Sequence, residues 1–254
     1  MKLKIMTLNL RNDLADDGIN SFRFRRNNIV NAISRENPDI IGFQEATDNI
    51  RHFLRECLNE YVVIGGGRDI GCTGEASCIA YKKFDFELIN FESKILSLTP
   101  DVFGTRHHWS DQSEYARMFV RAELQHKEMS KPINVFNTHF DHTGEQTKII
   151  EMVQLLQCVS QHNKNIVLMG DFNSYASSSV VAMPISGIAN VKLAECTKDI
   201  TVTFHNYGKI SSDSKIDYIF TDGETKACYA VNDAHIDGIY ISDHYPICAE
   251  IEFD

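Results

Sequence analysis

Short apolar runs separated by polar loops dominate the chain, and several of these runs end in charged or amide side chains. The predicted strands cover residues 4–10, 40–43, 61–64, 77–81, 84–91, 118–124, 133–140, 166–169, 216–221, 227–232 and 247–253. Runs of this length, bounded by turn-forming residues, are typical of strands within a sheet. The pattern therefore predicts a protein with extensive β-sheet.

Three segments place apolar residues at helical spacing. Residues 22–35 carry Phe22 and Ile29 on one side, and Pro38 ends this helix. Thr47 is suited to cap a second helix, because its hydroxyl can accept from a free backbone N–H. Residues 145–162 form the most regular helical pattern, with a predicted buried stripe of Ile149, Val153, Leu156 and Val159.

The order strand, helix, strand occurs twice, in residues 5–45 and again in residues 135–173. The two copies are too dissimilar to be identified as a sequence repeat. Their common pattern still predicts two similar halves that face each other, each a sheet with its helices outside. In that arrangement the polar strand ends meet at one rim of the protein.

Composition narrows the class of protein. The chain has 254 residues and a net charge of −10 without an evident basic cluster, which disfavours a long nucleic-acid partner. It contains no apolar run long enough to span a membrane, and its first residues lack a secretory signal. The seven cysteines are scattered without a Cys-x-x-Cys pair. We therefore expect a cytoplasmic protein with reduced thiols and no membrane partner.

The polar residues at the strand ends are the candidate chemistry. They are Asn9, Glu45, His139, Asp171 with Asn173, Asp217, and Asp243 with His244. Each residue alone is explained more simply as a local turn-former, a solvent-facing acid or a hydrogen-bonded histidine. Four carboxylates together would repel unless a cation lay among them, and oxygen ligands suit Mg²⁺ or Mn²⁺. No zinc motif accompanies them.

The order of residues around Asp171 suggests what such a rim could do. Period-two alternation would place Asp171 and Asn173 on one side of an extended backbone and Phe172 on the other. Such a pair can grip a metal-bound water or an oxyanion. Asp217 could fix the tautomer of His244, and the pair could act as an acid–base group or as a cation facing a phosphate. Since no nucleophile motif is present, the pattern favours attack by an activated water.

Six short motifs, in this order, resemble the endonuclease/exonuclease/phosphatase superfamily with the DNase I-like fold. They are Thr7-Leu8-Asn9, Gln44-Glu45, Asn137-Thr138-His139, Gly170-Asp171-Phe172-Asn173, Ile216-Asp217-Tyr218 and Ser242-Asp243-His244. The pattern Thr99-Pro100-Asp101 is similar to a bacterial branch related to deadenylase-type exonucleases. The resemblance covers the whole chain. It implies one domain over residues 1–254, a four-layered α/β sandwich, and Mg²⁺-dependent hydrolysis of phosphate esters.

The same resemblance implies roles for the acidic and amide residues. Glu45 would be the main metal ligand, with Asn9 and Asp243 nearby. Asp171 would orient or deprotonate the attacking water. Asn173 would stabilise the oxygens of the pentacoordinate phosphorus. Which residue is the general base, and whether one or two metals act, stays open at this point.

The histidines acquire roles in the same way. His244, held by Asp217, would touch the scissile phosphate, and His139 would be a second histidine on the phosphate side. The positive charge that this chemistry needs would come from metal and from protonated histidine.

The candidates for substrate contact are less specific. Arg117 would contact a substrate phosphate, although a surface arginine explains its position equally well. Arg106 and Trp109 lie in a long irregular segment, residues 92–115, where a cation and an aromatic ring could stack on a base or sugar. A self-packed loop is the alternative. Tyr175 is expected to be a packing residue.

Three functions are consistent with the sequence. The first is a phosphodiesterase or nuclease, of which a 3′-5′ exoribonuclease is one form. The second is a phosphatase or phosphodiesterase on small phosphorylated metabolites such as sugar or inositol phosphates, which the negative net charge favours. The third is a binding module without catalysis, which the intact motifs disfavour. A sphingomyelinase would need secretion or a membrane-inserting hairpin, and the sequence indicates neither.

Overall fold

A computed structural model describes residues 1–162 and 164–253, which form two six-stranded sheets and a small hairpin. The strands are β1 (Lys2–Asn9), β2 (Ile40–Ala46), β3 (Tyr61–Ile64), β4 (Ala76–Lys82), β5 (Phe86–Ile95), β6 (Met118–His126), β7 (Ile133–His139), β8 (Ile166–Asp171), β9 (Ala194–Glu195), β10 (Asp217–Thr221), β11 (Glu224–Ala230), β12 (His235–Ile236), β13 (Ile239–Tyr240) and β14 (Ile247–Glu252). The helices are α1 (Phe22–Glu36), α2 (Asp48–Cys57), α3 (Glu145–Val159) and the single turn α4 (Ser179–Ala182).

Both large sheets are mixed. The first has the order β11-β14-β1-β2-β4-β3, and the second has the order β5-β6-β7-β8-β10-β9. β1 pairs in parallel with β2, and β7 pairs in parallel with β8, whereas the remaining neighbours within the two sheets are antiparallel. Each parallel pair needs a crossover, which α1 and α3 supply. The predicted pair of strand–helix–strand halves is therefore confirmed.

The two sheets face each other over a shared apolar core. Side chains such as Ile5, Val135 and Met169 fill this interface. Separate apolar clusters lie between the first sheet and α1 and α2, and between the second sheet and α3. These layers make up the predicted four-layered α/β sandwich, which is confirmed. A side chain at Gly42 would lie 2.7 Å from Met169 Cε, so glycine permits the close approach of the sheets there.

The helix ends agree with the sequence, whereas the buried face of α3 differs from it. Thr47 Oγ1 accepts from the N–H of Ile50 at 3.4 Å and caps α2. α1 ends at Glu36, and Asn37 caps it in a left-handed conformation before Pro38. The predicted stripe on α3 is half wrong, because Ile149 and Val153 are only partly buried. The fully buried face contains Thr147, Lys148, Glu151, Met152, Leu155, Leu156 and Val159. α3 also contacts the segment around α4, which widens its buried face and brings polar groups into it.

The strand boundaries shift by a few residues from their predicted positions. β5 continues to Ile95, so the irregular segment predicted from residue 92 begins after four more residues of strand. β8 includes Gly170 and Asp171, so the strand continues two residues beyond the predicted apolar run. Within residues 1–162 and 164–253, no helix is long and apolar enough to cross a membrane. The assignment of the whole chain to one domain stays a prediction.

Candidate active site

The ends of β1, β2, β7, β8 and β10 meet at one side of the sandwich, where they form the floor of a cleft of about 1100 Å³. The cleft lining includes Glu45, His139, Asp171, Asp243 and His244. Parallel β1 and β2 present their C-terminal ends to the same rim as parallel β7 and β8. The convergence of strand ends that the sequence predicted is therefore present in the fold.

Asp171 lies at the centre of this floor. Gly170 before it has φ 147°, and a Cβ there would lie 2.1 Å from Thr138 O, so only glycine allows this approach of β8 to β7. Asn9 Nδ2 donates to Asp171 Oδ2 at 2.9 Å and to Glu45 Oε1 at 3.0 Å. The Asn9 amide thus joins the two halves of the protein and fixes both carboxylates. Burial and the charge of Asp217 raise the pKa of Asp171 to about 7.

Asn173 departs from the expected extended backbone. Its φ of 46° is left-handed, and its N–H donates to Asp171 Oδ1 at 2.9 Å. Its side-chain Nδ2 donates to Phe140 O at 3.0 Å. The strand ends at Asp171 because this turn begins there, so period-two alternation was the wrong basis for pairing the two residues. Asn173 nevertheless lines the cleft beside Asp171.

His244 forms a buried ion pair with Asp217. Its Nδ1 lies 2.8 Å from Asp217 Oδ2, and its Nε2 lies 3.9 Å from Asp171 Oδ2. Burial alone would lower the pKa of His244, but the charge and hydrogen bond of Asp217 outweigh this and raise it to about 10. The arrangement holds a protonated imidazole against Asp171, as the predicted Asp217–His244 pairing requires.

His139 differs from His244 in charge. Its Nε2 lies 3.6 Å from Asp171 Oδ2. Burial first, and then the nearby charges of Arg117 and Arg68, hold the pKa of His139 well below its usual range. His139 is therefore a neutral imidazole, and of the two histidines only His244 supplies positive charge to the floor. His139 contributes a neutral hydrogen-bonding group beside Asp171.

Glu45 sits at the end of β2 in a left-handed conformation, with φ 57°. Its Oε2 accepts from Asn12 N at 2.9 Å and from Asn12 Nδ2 at 3.0 Å. Strain of this kind in a non-glycine residue is typical of functional sites. Burial outweighs the charges around Asp243 and raises the pKa of that carboxyl, with Glu45 contributing in the same direction. Arg11 Nε lies 3.8 Å from Asp243 Oδ2 and brings a cation to this acidic side of the floor.

The donor set around Glu45 fits a hard divalent cation. The charge of Glu45 adds to the burial that raises the pKa of Asp243, and a bound cation would relieve this repulsion. Although burial alone would raise the pKa of Glu45, hydrogen bonds from Asn9 and Asn12 outweigh it and lower that pKa, which keeps Glu45 ionised. The oxygens of Glu45 and Asp243, with the carboxylate of Glu75 on the same cleft, are the ligand type that Mg²⁺ and Mn²⁺ take. Asn9 contributes differently, since its Oδ1 accepts from Arg11 N at 2.8 Å. In this arrangement Asn9 positions carboxylates, and its role as a ligand stays a prediction.

A second group of potential ligands contains Asp171, Asp217 and His244, whose donor atoms lie within 4.8 Å of one another. We assign this group to charge pairing, because His244 Nδ1 is already bonded to Asp217 and the ring carries a proton. A protonated imidazole cannot bind a metal. The two sides of the floor therefore differ. Around Glu45 there are oxygen ligands suited to a metal ion, whereas His244 supplies a positive charge of its own.

The predicted substrate residues fall in different places. Arg117 is 3% exposed and lines the cleft. Among the described residues that line the cleft, neither Arg106 nor Trp109 occurs. Arg106 donates to Ser113 O at 2.9 Å, and Trp109 contacts the ring of His107, so this stretch packs on itself. Tyr175 is 60% exposed at the cleft, and its expected packing role is therefore corrected.

Sequence reasoning missed several cleft residues. They are Arg11, Arg68, Glu75, Tyr115, His142 and Lys148. Arg68 lies within a glycine-rich loop, residues 65–74, and Glu75 follows it directly before β4. Such loops allow close approach to a ligand. His142 follows directly after the His139 motif. The glycine-rich loop and the His139 motif were sequence signals that could have identified these neighbouring residues. The inward direction of Lys148 on α3 had no such signal, because it depends on tertiary packing.

Strand-end carboxylates whose oxygens suit a divalent cation, together with an imidazolium held by an aspartate, are the features of one class of enzymes, the metal-dependent phosphoester hydrolases. The sequence matches the Endonuclease/Exonuclease/phosphatase family over residues 6–244. The chain belongs to this family, whose members hydrolyse phosphate esters and are generally dependent on divalent metal.

Solved structures support the assignment. An endonuclease/exonuclease/phosphatase from Bacteroides vulgatus is 27% identical, with full coverage of both chains and a TM-score of 0.92. A mannosyl-6-phosphatase from Bacteroides thetaiotaomicron VPI-5482 is 26% identical over 99% of this chain and 100% of that chain, with a TM-score of 0.86. The human Nocturnin catalytic domain with bound sulfate shares the fold, at 16% identity over 100% of this chain and 95% of that chain, with a TM-score of 0.73.

Proposed function

We propose that this protein is a Mg²⁺- or Mn²⁺-dependent phosphatase that acts on small phosphorylated molecules, such as sugar phosphates. The observation that carries the proposal is the balance of charge in the cleft. Its cationic side chains are Arg11, Arg68, Arg117, Lys148 and His244, and its carboxylates are Glu45, Glu75, Glu145, Asp171 and Asp243. One divalent cation would leave a modest positive charge, which suits a small substrate with one or two anionic groups better than a polyanion.

The floor supplies the parts of a water attack on phosphorus. Asn9 Nδ2 donates to both Glu45 and Asp171 and so holds the two carboxylates close together. Asp171 would orient a water bound near Glu45 or take its proton. His244 would hold the phosphate oxygens with its protonated ring, and Asn173 would donate to the same oxygens. The metal, held by Glu45 and Asp243, would polarise the phosphate and lower the pKa of bound water.

The similarity to the mannosyl-6-phosphatase supports a small substrate. That protein is named for a sugar phosphate, and it is similar to this chain over nearly the full length of both. Fold alone does not decide substrate, since one fold carries many activities. The negative net charge of −10 points in the same direction, because polymer binding relies on many cationic contacts.

A second candidate is a phosphodiesterase or nuclease. Its support is the pair of exposed aromatic side chains at the cleft, Tyr115 at 45% and Tyr175 at 60% exposure, on which a base could stack. A 3′-5′ exoribonuclease is the specific form of this candidate. A binding module without catalysis has less support, because acid, amide and imidazole side chains of the proposed machinery line one cleft, with Asn9 and Asp217 hydrogen-bonded directly behind them.

The test compares substrate classes under identical conditions. Purified protein with Mg²⁺ or Mn²⁺ would be assayed on mannose 6-phosphate, p-nitrophenyl phosphate, bis(p-nitrophenyl) phosphate, and RNA and DNA oligonucleotides. We expect the highest kcat/KM on a phosphomonoester and loss of turnover with EDTA. Asp171→Asn should abolish this turnover, whereas Trp109→Ala, outside the cleft, should retain it. A tenfold higher kcat/KM on diesters or oligonucleotides would instead establish the second candidate.

The proposed location is the cytoplasm. All seven cysteines lie in the described part of the chain and are free thiols, as expected in a reducing compartment. Cell fractionation with an antibody to the native protein tests this location directly.

A further inference from the structure

Four side chains from separate segments form one wall of the cleft, here named the cationic wall. They are Arg68, Tyr115, Arg117 and His142, and all line the same cavity as Asp171 and His244. Arg68 comes from the loop before β4, Tyr115 and Arg117 precede β6, and His142 follows β7. None of these residues takes part in the water-activating floor described above.

Arg117 and His142 hold one another in a defined orientation. Arg117 Nη2 lies 2.9 Å from His142 Nδ1, and Arg117 Nε lies 3.6 Å from Asp141 Oδ2. Burial and the charge of Arg117 lower the pKa of His142, so the ring is neutral. Because Nδ1 accepts from Arg117, the ring proton lies on Nε2. Among the described residues, none accepts from this Nε2–H, which leaves it as a donor for a ligand.

Arg68 is positioned as firmly as Arg117. Its Nη1 lies 2.9 Å from Glu75 Oε2, and its guanidinium group lies 5.1 Å above the Tyr115 ring. Arg68 is 7% exposed. Within residues 1–162 and 164–253, Arg68 Nε and Arg117 Nε and Nη1 have no hydrogen-bond partner. These nitrogens are enclosed, and a buried guanidinium charge is costly, so the negative charge of an anion in the cleft would offset part of this cost.

The cationic wall adjoins the floor without belonging to it. Both arginine charges act on His139, which contacts Asp171 on the floor at 3.6 Å and shares a small cavity with Arg68 and Glu45. The phosphate under attack already has His244, Asn173 and the metal ligands around it. The wall is therefore available to a different group of the same molecule, on the far side of His139 from Asp171.

We propose that the cationic wall binds a second anionic group of the substrate, a phosphate or a carboxylate, beside the phosphate that is hydrolysed. This inference rests on the proposed phosphatase function and specifies its substrate class. Arginine forks match the paired oxygens of both anions, and the His142 donor adds a neutral contact. The preferred substrates are thus small phosphomonoesters with two anionic groups.

Matched substrate pairs test the proposal. Fructose 1,6-bisphosphate is compared with fructose 6-phosphate, and 6-phosphogluconate with glucose 6-phosphate. We expect the doubly anionic member of at least one pair to have a KM at least tenfold lower. Arg68→Gln and His142→Gln should reduce that ratio to near one. Arg35→Gln, on the outer surface of α1, is the control and should leave the ratio unchanged, with melting temperatures reported for each variant.

Two results would overturn the cationic wall. One is a KM ratio below tenfold within both pairs, and the other is a tenfold KM ratio that survives in Arg68→Gln and His142→Gln alike. If no phosphomonoester is turned over, the proposed function fails separately. Calorimetry then tests directly whether the cationic wall binds an anionic group. Fructose 1,6-bisphosphate is titrated into the Asp171→Asn variant and into the Asp171→Asn/Arg68→Gln variant, both in the presence of Mg²⁺. Equal affinities of the two would reject the subsite, and tenfold weaker binding by the second would support it.

Discussion

The two strand–helix–strand units of this protein have the same topology but opposite chemistry. β1-α1-β2 delivers Asn9 and Glu45 to the rim, whereas β7-α3-β8 delivers His139 and Asp171. In each unit the parallel strand ends present a polar side chain from each strand. The first unit carries the half-buried carboxylate suited to a metal, and the second carries the buried carboxylate suited to a water.

The crossover helices of the two units differ in the same way. α1 buries Arg25, whose guanidinium group donates to Leu10 O at 2.6 Å, Ile241 O at 2.8 Å and Asn20 O at 2.8 Å. α3 buries Glu151, whose Oε2 accepts from Asp141 N at 2.9 Å. Both side chains fix the loop that follows the first strand of their unit.

The difference shows that the loop after the first strand of such a unit can be fixed either by a buried cation or by a buried acid. The loop after β1 turns backbone carbonyl groups inward, so a cation with many N–H donors meets their need for hydrogen bonds. The loop after β7 turns an N–H inward, so an acid satisfies it with one bond. Arg25 is fully engaged, whereas Glu151 Oε1 has no hydrogen-bond partner among the described residues. We therefore expect the second unit to tolerate loss of its buried acid better than the first unit tolerates loss of its buried cation.

The largest expected effect separates the two rim carboxylates. Asp171→Asn should lower kcat about 1000-fold while Mn²⁺ affinity changes little, because an amide cannot take a proton from water. Glu45→Gln should weaken Mn²⁺ binding at least about tenfold, because it removes a charged ligand. Calorimetric titration with Mn²⁺ and steady-state kinetics measure both. Loss of metal binding in Asp171→Asn with none in Glu45→Gln would reverse the assignment of the two units.

A smaller effect concerns the buried cation of α1. Arg25→Met should lower the free energy of unfolding by about 3–5 kcal/mol, because several inward carbonyls lose their donor together. Arg25→Lys should recover only part of this loss, since an ammonium group cannot reach carbonyls on three sides. Urea denaturation followed by circular dichroism gives both values. A loss below about 1 kcal/mol in Arg25→Met would show that the loop after β1 does not depend on the helix.

The smallest effect, with the opposite sign, concerns the buried acid of α3. Burial raises the pKa of Glu151 from 4.5 to about 8. Between these values the unfolded chain ionises and the folded chain does not, so Glu151 makes stability fall as pH rises. Glu151→Gln keeps the bond from Asp141 N and removes this slope. Its unfolding free energy relative to wild type should rise by about 1–3 kcal/mol from pH 5 to pH 8, as measured by urea denaturation at each pH. A difference independent of pH would indicate that Glu151 is ionised throughout.

The sequence predicted the sandwich and the floor because both depend on local patterns. Apolar runs predict the strands, and the carboxyl ends of parallel strands lie at the same edge of a sheet. The positions of Asp171 and Glu45 at one rim could therefore be predicted from the order of strands and helices along the chain. The cationic wall depends on loops whose path is set by packing, and for this reason Arg68 and His142 were missed. Trp109 illustrates the opposite error, a residue predicted to contact substrate that lies outside the cleft. The composition of its loop suggested stacking on a ligand, but the Trp109 ring contacts the neighbouring His107. Asn173 was placed correctly at the site by its motif and incorrectly oriented by alternation.

The pairing of β1 with β14 has a consequence for synthesis on the ribosome. Leu3 lies opposite Ile251, and β14 separates β1 from β11 in the first sheet. β1 therefore lacks one of its two neighbours in the sheet until β14 has been translated. Asp243 and His244 lie shortly before β14, so the floor of the cleft is also completed only at this late stage. Until then one edge of β1 is unpaired, and an unpaired strand edge favours aggregation of the nascent chain.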